Sequence, residues 1–262
     1  MANQTSGSTS ASGAAARGVL VYTLHKSASM FVHRVTQEMT EAFGFDYYSI
    51  NFDQYRDDIW KTSWKAFIES KPRSGCFGPI RSGAAEPIVP SNFEDYSVLL
   101  HLRDPRDVLV SRFFWQTYRL GKAPGGMNPK EEERETWDGA GIDEFVLGEA
   151  PEFQRRYHVL TSTFLGRPNV HLITYEQMVN AHGDWLRGFA RAFEHRKSAA
   201  YAEDVCKRLV ESHKGEFIQD EEDRYSHKRQ IQPGDHQRKL KPQTIDRLNV
   251  EFAETLGHLG YR

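Results

Sequence analysis

Cysteine is scarce: Cys76 and Cys206 are the two in a chain of 262 residues. Their separation excludes C-x-x-C metal or redox spacing and a disulfide framework, which makes a reducing, cytoplasmic compartment the expectation. Long apolar runs are absent too. The best candidate, Val19 to Leu24, has the length of a strand and not the roughly 18 to 20 residues of a membrane-spanning helix. There is no excess of basic charge, because 34 Lys and Arg against 36 Asp and Glu leave a formal net charge of −2. A surface that coats nucleic acid non-specifically is thereby excluded, and any anion site has to be local. Acidic residues are missing from the first 17 positions, a Ser/Ala/Thr/Gly-rich stretch that reads as a disordered tail, with an organelle-targeting segment as the alternative. What remains is one globular domain over residues 18–262, long enough for a sizeable core. Neither nucleic acid nor a membrane is expected among its partners, and composition does not give its oligomeric state.

What is present is a repeated grammar of strand, turn and helix. Gly18 to Leu24 is short, β-branched and apolar, as a strand buried on both faces must be. Phe31, Val35, Met39, Ala42 and Phe43 then recur at helical spacing, and Gly44 is placed to end that helix. A second unit runs from the strand Ser97–Leu102 through Arg103, Asp104 and Pro105 into a helix from about Arg106, with Pro105 in its first turn. A third strand, Asn169–Thr174, leads into a helical stretch to about Phe193. A last helix from about Pro242 carries Ile245, Leu248, Phe252, Leu256 and Leu259 on one face. Gly121 to Pro129 is a Gly/Pro-rich loop, and Lys130 to Glu135 a solvated helix start. Such alternation predicts an α/β fold: a doubly wound parallel sheet with helices on both faces, whose ligands sit at the carboxyl ends of the strands. The turns at Lys26 and Arg103 are where chemistry is expected.

Between the first strand and helix, Thr23-Leu-His-Lys-Ser-Ala-Ser-Met-Phe31 sets a lysine and two hydroxyl residues at a helix start. Exposed amides, the helix dipole and the Lys26 charge suit a phosphate or sulfate there, although a Ser-rich turn also serves as a plain N-cap. It is not a Walker A loop, because the lysine leads the loop instead of closing it. The segment resembles the 5′-phosphosulfate loop of sulfotransferases that use 3′-phosphoadenosine-5′-phosphosulfate (PAPS). Lys26, Ser27 and Ser29 match the family pattern, while Ala28 replaces its glycine and Met30 one of its hydroxyl residues. The resemblance assigns co-substrate contacts to Lys26, Ser27, Ala28, Ser29, Met30 and Phe31.

Arg103-Asp-Pro-Arg-Asp-Val-Leu-Val-Ser111 resembles the family's 3′-phosphate motif, R-x-P-x-D-x-x-x-S, at every defined position. Arg103 can fork onto a phosphate, and Ser111 joins it only if the intervening residues wind into a helix. Arg229, Gly234 and Asp235 match a third element near the C-terminus, which departs from the family at Gln230, Ile231 and His236. Tyr175, in Tyr175-Glu-Gln-Met, resembles the family tyrosine that lies near the adenine. The resemblance covers the chain from about Gly18 onward. It implies a P-loop-like fold and in-line sulfuryl transfer from PAPS to an acceptor hydroxyl or amine, with a small molecule as acceptor and no metal.

Lys26 is expected to stabilise the leaving oxygen. The proton acceptor is less legible. Cys76 to Arg81 lacks the histidine of the small-molecule members, and the carboxylates placed as in the carbohydrate members are Asp46, Asp53, Asp57 and Asp58. Asp53, between aromatic residues, is the choice, with an N-cap as its alternative use. His25 and His101 are given no catalytic role. Two other readings stay open: a P-loop kinase-like phosphotransferase, and a catalytically inactive nucleotide-binding protein.

Overall fold

The structure, a computed structural model, describes residues 17–49, 63–81, 88–119, 131–219, 221–222 and 229–261. Five parallel strands form one sheet in the order β2-β3-β1-β4-β5: β1 Gly18–Thr23, β2 Tyr47–Tyr48, β3 Cys76–Arg81, β4 Tyr96–Leu102 and β5 Val170–Thr174. Every residue of β1 is buried, and its alternating side chains feed two separate cores. Leu20 and Tyr22, with Leu100 of β4, pack against helix α3 (Pro105–Phe114), helix α4 (Glu131–Phe164) and the C-terminal helices through Phe113, Phe145, Tyr157, Leu248 and Phe252. Val19 and Val21, with Leu99, pack on the other face against α1 (Ser29–Phe43), α5 (Tyr175–Asn180), α6 (His182–Ala190) and α7 (Ala199–Ser212) through Val35, Met39, Trp185 and Val205. Each such side chain contributes about 1.5–3 kcal/mol on burial, so a strand apolar on both faces has a stable place only in the middle of three layers. This is the doubly wound architecture expected.

Boundaries differ in places. The helical stretch after β5 divides at Ala181 (φ −144) into α5 and α6. The last helix divides at Phe252 (φ −98, ψ 12), whose fully buried ring leaves the helical path between α9 (Pro242–Glu251) and α10 (Ala253–Leu259). Strands β2 and β3 were not legible: two residues make no pattern, and Gly78-Pro79 reads as a break. The chain leaves β1 for β2 and then β3 on one side and crosses to β4 on the other, so the carboxyl ends of β1 and β4 flank the topological switch point where a ligand crevice is expected. Among the described residues no helix is long and apolar enough to cross a membrane.

Strand β3 carries one extra residue opposite β1. Leu20 pairs Phe77 and Tyr22 pairs Ile80, which places Arg81 beside Thr23 at the mouth of the crevice. Gly78 makes this bulge possible. It has φ 143, and a Cβ there would lie 2.7 Å from the Val21 carbonyl oxygen. Gly78→Ala is expected to cost about 1–3 kcal/mol in strain and to lower Tm by roughly 2–4 °C for each of those kcal/mol. An unchanged melting curve would contradict this packing.

Candidate anion-binding site

The loop after β1 turns twice through the left-handed region at residues other than glycine, at Lys26 (φ 68) and Ala28 (φ 54). Each such turn costs an L-residue about 1–2 kcal/mol. Ala28 thus occupies a conformation that suits the glycine of the resemblance. Helix α1 starts directly after Ala28, with no side-chain cap and no carboxylate in its first turn. The positive end of its dipole and its first amides are therefore not met by an acid of their own. Ser27 Oγ is fully buried and has no hydrogen-bond partner among the described residues, which leaves a donor and acceptor waiting at the foot of the helix.

Cations surround this point. Lys26 Nζ stands 5.3 Å from the centre of the Trp115 ring. Arg81 reaches from the end of β3 to Met30 Sδ at 3.7 Å, and its buried Nε has no partner among the described residues. Met30 itself is 42% exposed. Phe31 packs its ring among His182, Trp185, His213 and Phe217, so it braces α1 from behind.

The loop after β4 is clamped to the first. Arg103, 4% exposed, donates from Nη1 to the Lys26 carbonyl at 3.0 Å and lies 4.0 Å over the Tyr175 ring, with Nη2 3.7 Å from Asp107. Its Nε has no partner among the described residues. Asp104 caps α3 by accepting from the Arg106 amide at 2.9 Å and pairs with the Arg106 guanidinium at 2.7 Å. Ser111 lies on α3, half-buried, so the winding its assigned role requires is present.

Asp107, fully buried in the first turn of α3, joins the third segment. Its carboxylate accepts from the Gly234 amide at 2.8 Å, the His236 amide at 2.9 Å and His236 Nδ1 at 2.6 Å. Burial by itself would raise this carboxyl. The His236 hydrogen bonds and the Arg103 charge override it and hold the group well below the usual carboxylate range. Arg229 is caged by Glu222 and Asp235 and lies 3.9 Å over Phe114. Tyr175 donates to the Ile231 carbonyl at 2.7 Å, and Ile231 also lines an open pocket of about 370 Å³ with Lys214, Gly215, Glu216, Ile218 and Gln219.

The structure thus gathers Lys26, Ser27, Ala28, Ser29, Arg103, Tyr175 and Arg229 around two adjoining loops and the segment that closes on them. His101 is fully buried with its ring against Trp185. Asp53 lies outside the described residues. Arg81 and His236 were missed by sequence reasoning. A single arginine ending an apolar stretch was the available signal for the first, whereas the second emerges only from its contact with Asp107. Among the described residues no group of three or more His, Cys, Asp or Glu is placed to hold a metal.

No protein-family model and no curated protein matches the chain. Solved structures do. The mouse sulfotransferase SULT7A1 complexed with PAP superposes with a TM-score of 0.57 at 13% identity, over 92% of this chain and 84% of that one. Retinol dehydratase, in complex with androsterone and the inactive cofactor PAP, gives 0.53 at 13% identity, over 91% and 80%. The chain has the sulfotransferase fold. Within that fold the loop after β1, the loop after β4 and the C-terminal segment are held together by Arg103 and Asp107 in one hydrogen-bonded unit.

Asp107→Ala, which strips the buried Arg103 and His236 of their partner, is expected to destabilise the protein by about 3 kcal/mol or more in urea unfolding. The wild-type carboxyl is depressed on folding. Its contribution is therefore complete well above the unfolded carboxyl value of about 4 and is lost as pH falls below it. The gap between wild type and variant should narrow in acid, and a gap independent of pH would refute the charged role.

Proposed function

We propose that the protein transfers a sulfuryl group from PAPS to a hydroxyl or amine of a small molecule. The observation that carries this reading is the foot of α1: an uncapped helix start, the buried Ser27 Oγ with no partner among the described residues, and the cations of Lys26 and Arg81, all at the switch point of a sulfotransferase fold. A phosphosulfate supplies oxygens to the Ser27 hydroxyl and the first amides of α1, and its negative charge complements the two cations. Lys26 stands where charge would develop on the leaving bridging oxygen, and Ser27, Ser29 and the first amides of α1 hold the equatorial oxygens. Arg103 Nε, Ser111 and Arg229 are assigned to the 3′-phosphate. Tyr175, with the pocket beside Ile231, is assigned to the nucleoside. Preorganised donors of this kind act mainly on the transition state. The lysine leads its loop instead of beginning the helix, which favours sulfuryl over Walker-type phosphoryl transfer.

Calorimetry is expected to show PAP, adenosine 3′,5′-bisphosphate, binding at least about tenfold more tightly than ATP with magnesium, a difference of about 1.4 kcal/mol. The reverse order would favour a kinase-like reading. Lys26→Ala should lower PAPS turnover by roughly 10²- to 10³-fold with PAP affinity little changed, and near-normal turnover would remove the lysine from its role. PAP binding without turnover on any acceptor class would make the chain a nucleotide-binding protein.

A further inference from the structure

Sulfuryl transfer needs a group to take the acceptor's proton, and among the described residues the carboxylates around the two loops are committed. Asp104 is held by Arg106, Asp107 by Gly234 and His236, and Glu176 by the Asp104 amide and Tyr261. His101 is sealed in the core. His25 is different. It stands one residue before Lys26, two past the end of β1, it is only partly desolvated, and among the described residues its ring makes no hydrogen bond. Four cations of the described residues act on it: Arg81 of β3, Arg112 of α3, Arg156 of α4 and Lys26 of its own loop. Glu149 and Glu152 pair with Arg112 and Arg156. The imidazole thus lies within charge range of the same lysine and arginine that face the foot of α1.

We propose that His25 is the proton acceptor of the transfer, an inference that rests on the sulfotransferase reading above. As the acceptor oxygen or nitrogen bonds to sulfur, the bond from sulfur to the bridging oxygen breaks, and its electron pair leaves on the 5′-phosphate of PAP beside Lys26. The acceptor's proton passes to an imidazole nitrogen of His25. Partial desolvation and then the four cations push this histidine down to about 4 in the unliganded protein, so the ring is neutral and able to accept. A polyanionic co-substrate offsets those cations and raises the imidazole toward neutrality, where a general base is most effective. The base is armed by the arrival of the sulfuryl donor.

The test combines histidine NMR titration with turnover, read as PAP released from PAPS with an acceptor or with water. His25, assigned by the loss of its signal in His25→Gln, should titrate near 4 when free and at least about one pH unit higher with PAP bound, as expected when charge partners are neutralised. His25→Gln should lower turnover roughly 10²- to 10⁴-fold and abolish its acidic limb, while PAP affinity stays within about twofold. Wild-type turnover in His25→Gln with PAP affinity intact would overturn the proposal. So would a titration that PAP leaves unmoved, or a loss confined to Asp53→Asn. Failure of the wild-type protein to bind PAP would instead overturn the sulfotransferase reading beneath it.

Discussion

The buried carboxylate of Asp107 is the interaction on which the site's geometry depends. It lies in the first turn of α3, faces Arg103 on its own strand end, and receives two backbone amides and a histidine from the C-terminal segment. Burying a charge costs several kcal/mol, offset only when its lone pairs are met by well-placed donors. Asp107 meets that condition with donors from residues more than a hundred positions away. The price is a fixed geometry: the segment carrying Arg229, Gly234 and His236 has to close over α3. Arg103 extends the same network to the Lys26 carbonyl, so the loop that would hold the phosphosulfate is positioned by the same charge that docks the C-terminus.

Against this rigid frame the first loop stores strain. Two residues with Cβ atoms adopt left-handed conformations, one buried hydroxyl lacks a partner among the described residues and the helix start is uncapped. Such costs persist where the surrounding structure over-determines them, and they gather where a ligand is bound. The formal charge of −2 makes the meeting of Lys26 and Arg81 at this loop more informative, since no general basicity explains it. The proposed phosphosulfate would meet the buried hydroxyl, the dipole and these cations together.

The order of the strands' companions was legible because β1 and β4 are apolar on both faces, a pattern that only a central parallel strand sustains. Arg103 to Ser111 was legible because Pro105 and Asp104 mark a helix start in the sequence itself. Strand β3 was hidden by Gly78 and Pro79, whose bulge is stabilised by pairing with β1 and β2 and not by local propensity. Arg81 was hidden with it. The resemblance supplied candidate phosphate contacts, but it was silent on Arg103 stacking on Tyr175 and on Arg229 caged by acids.

The sequence by itself determined the alternation of strand and helix, the three segments that meet at the crevice, and the types of donor they carry. These follow from periodicity and backbone stereochemistry, which act over a few residues. Only the tertiary structure decided which side chains remain available to a ligand. Whether Ser27 is satisfied, whether Arg81 faces the loop, and whether His25 sits among cations depend on charges and donors contributed by distant elements. Those interactions are set by low-dielectric burial and three-dimensional distance, neither of which is written in local spacing.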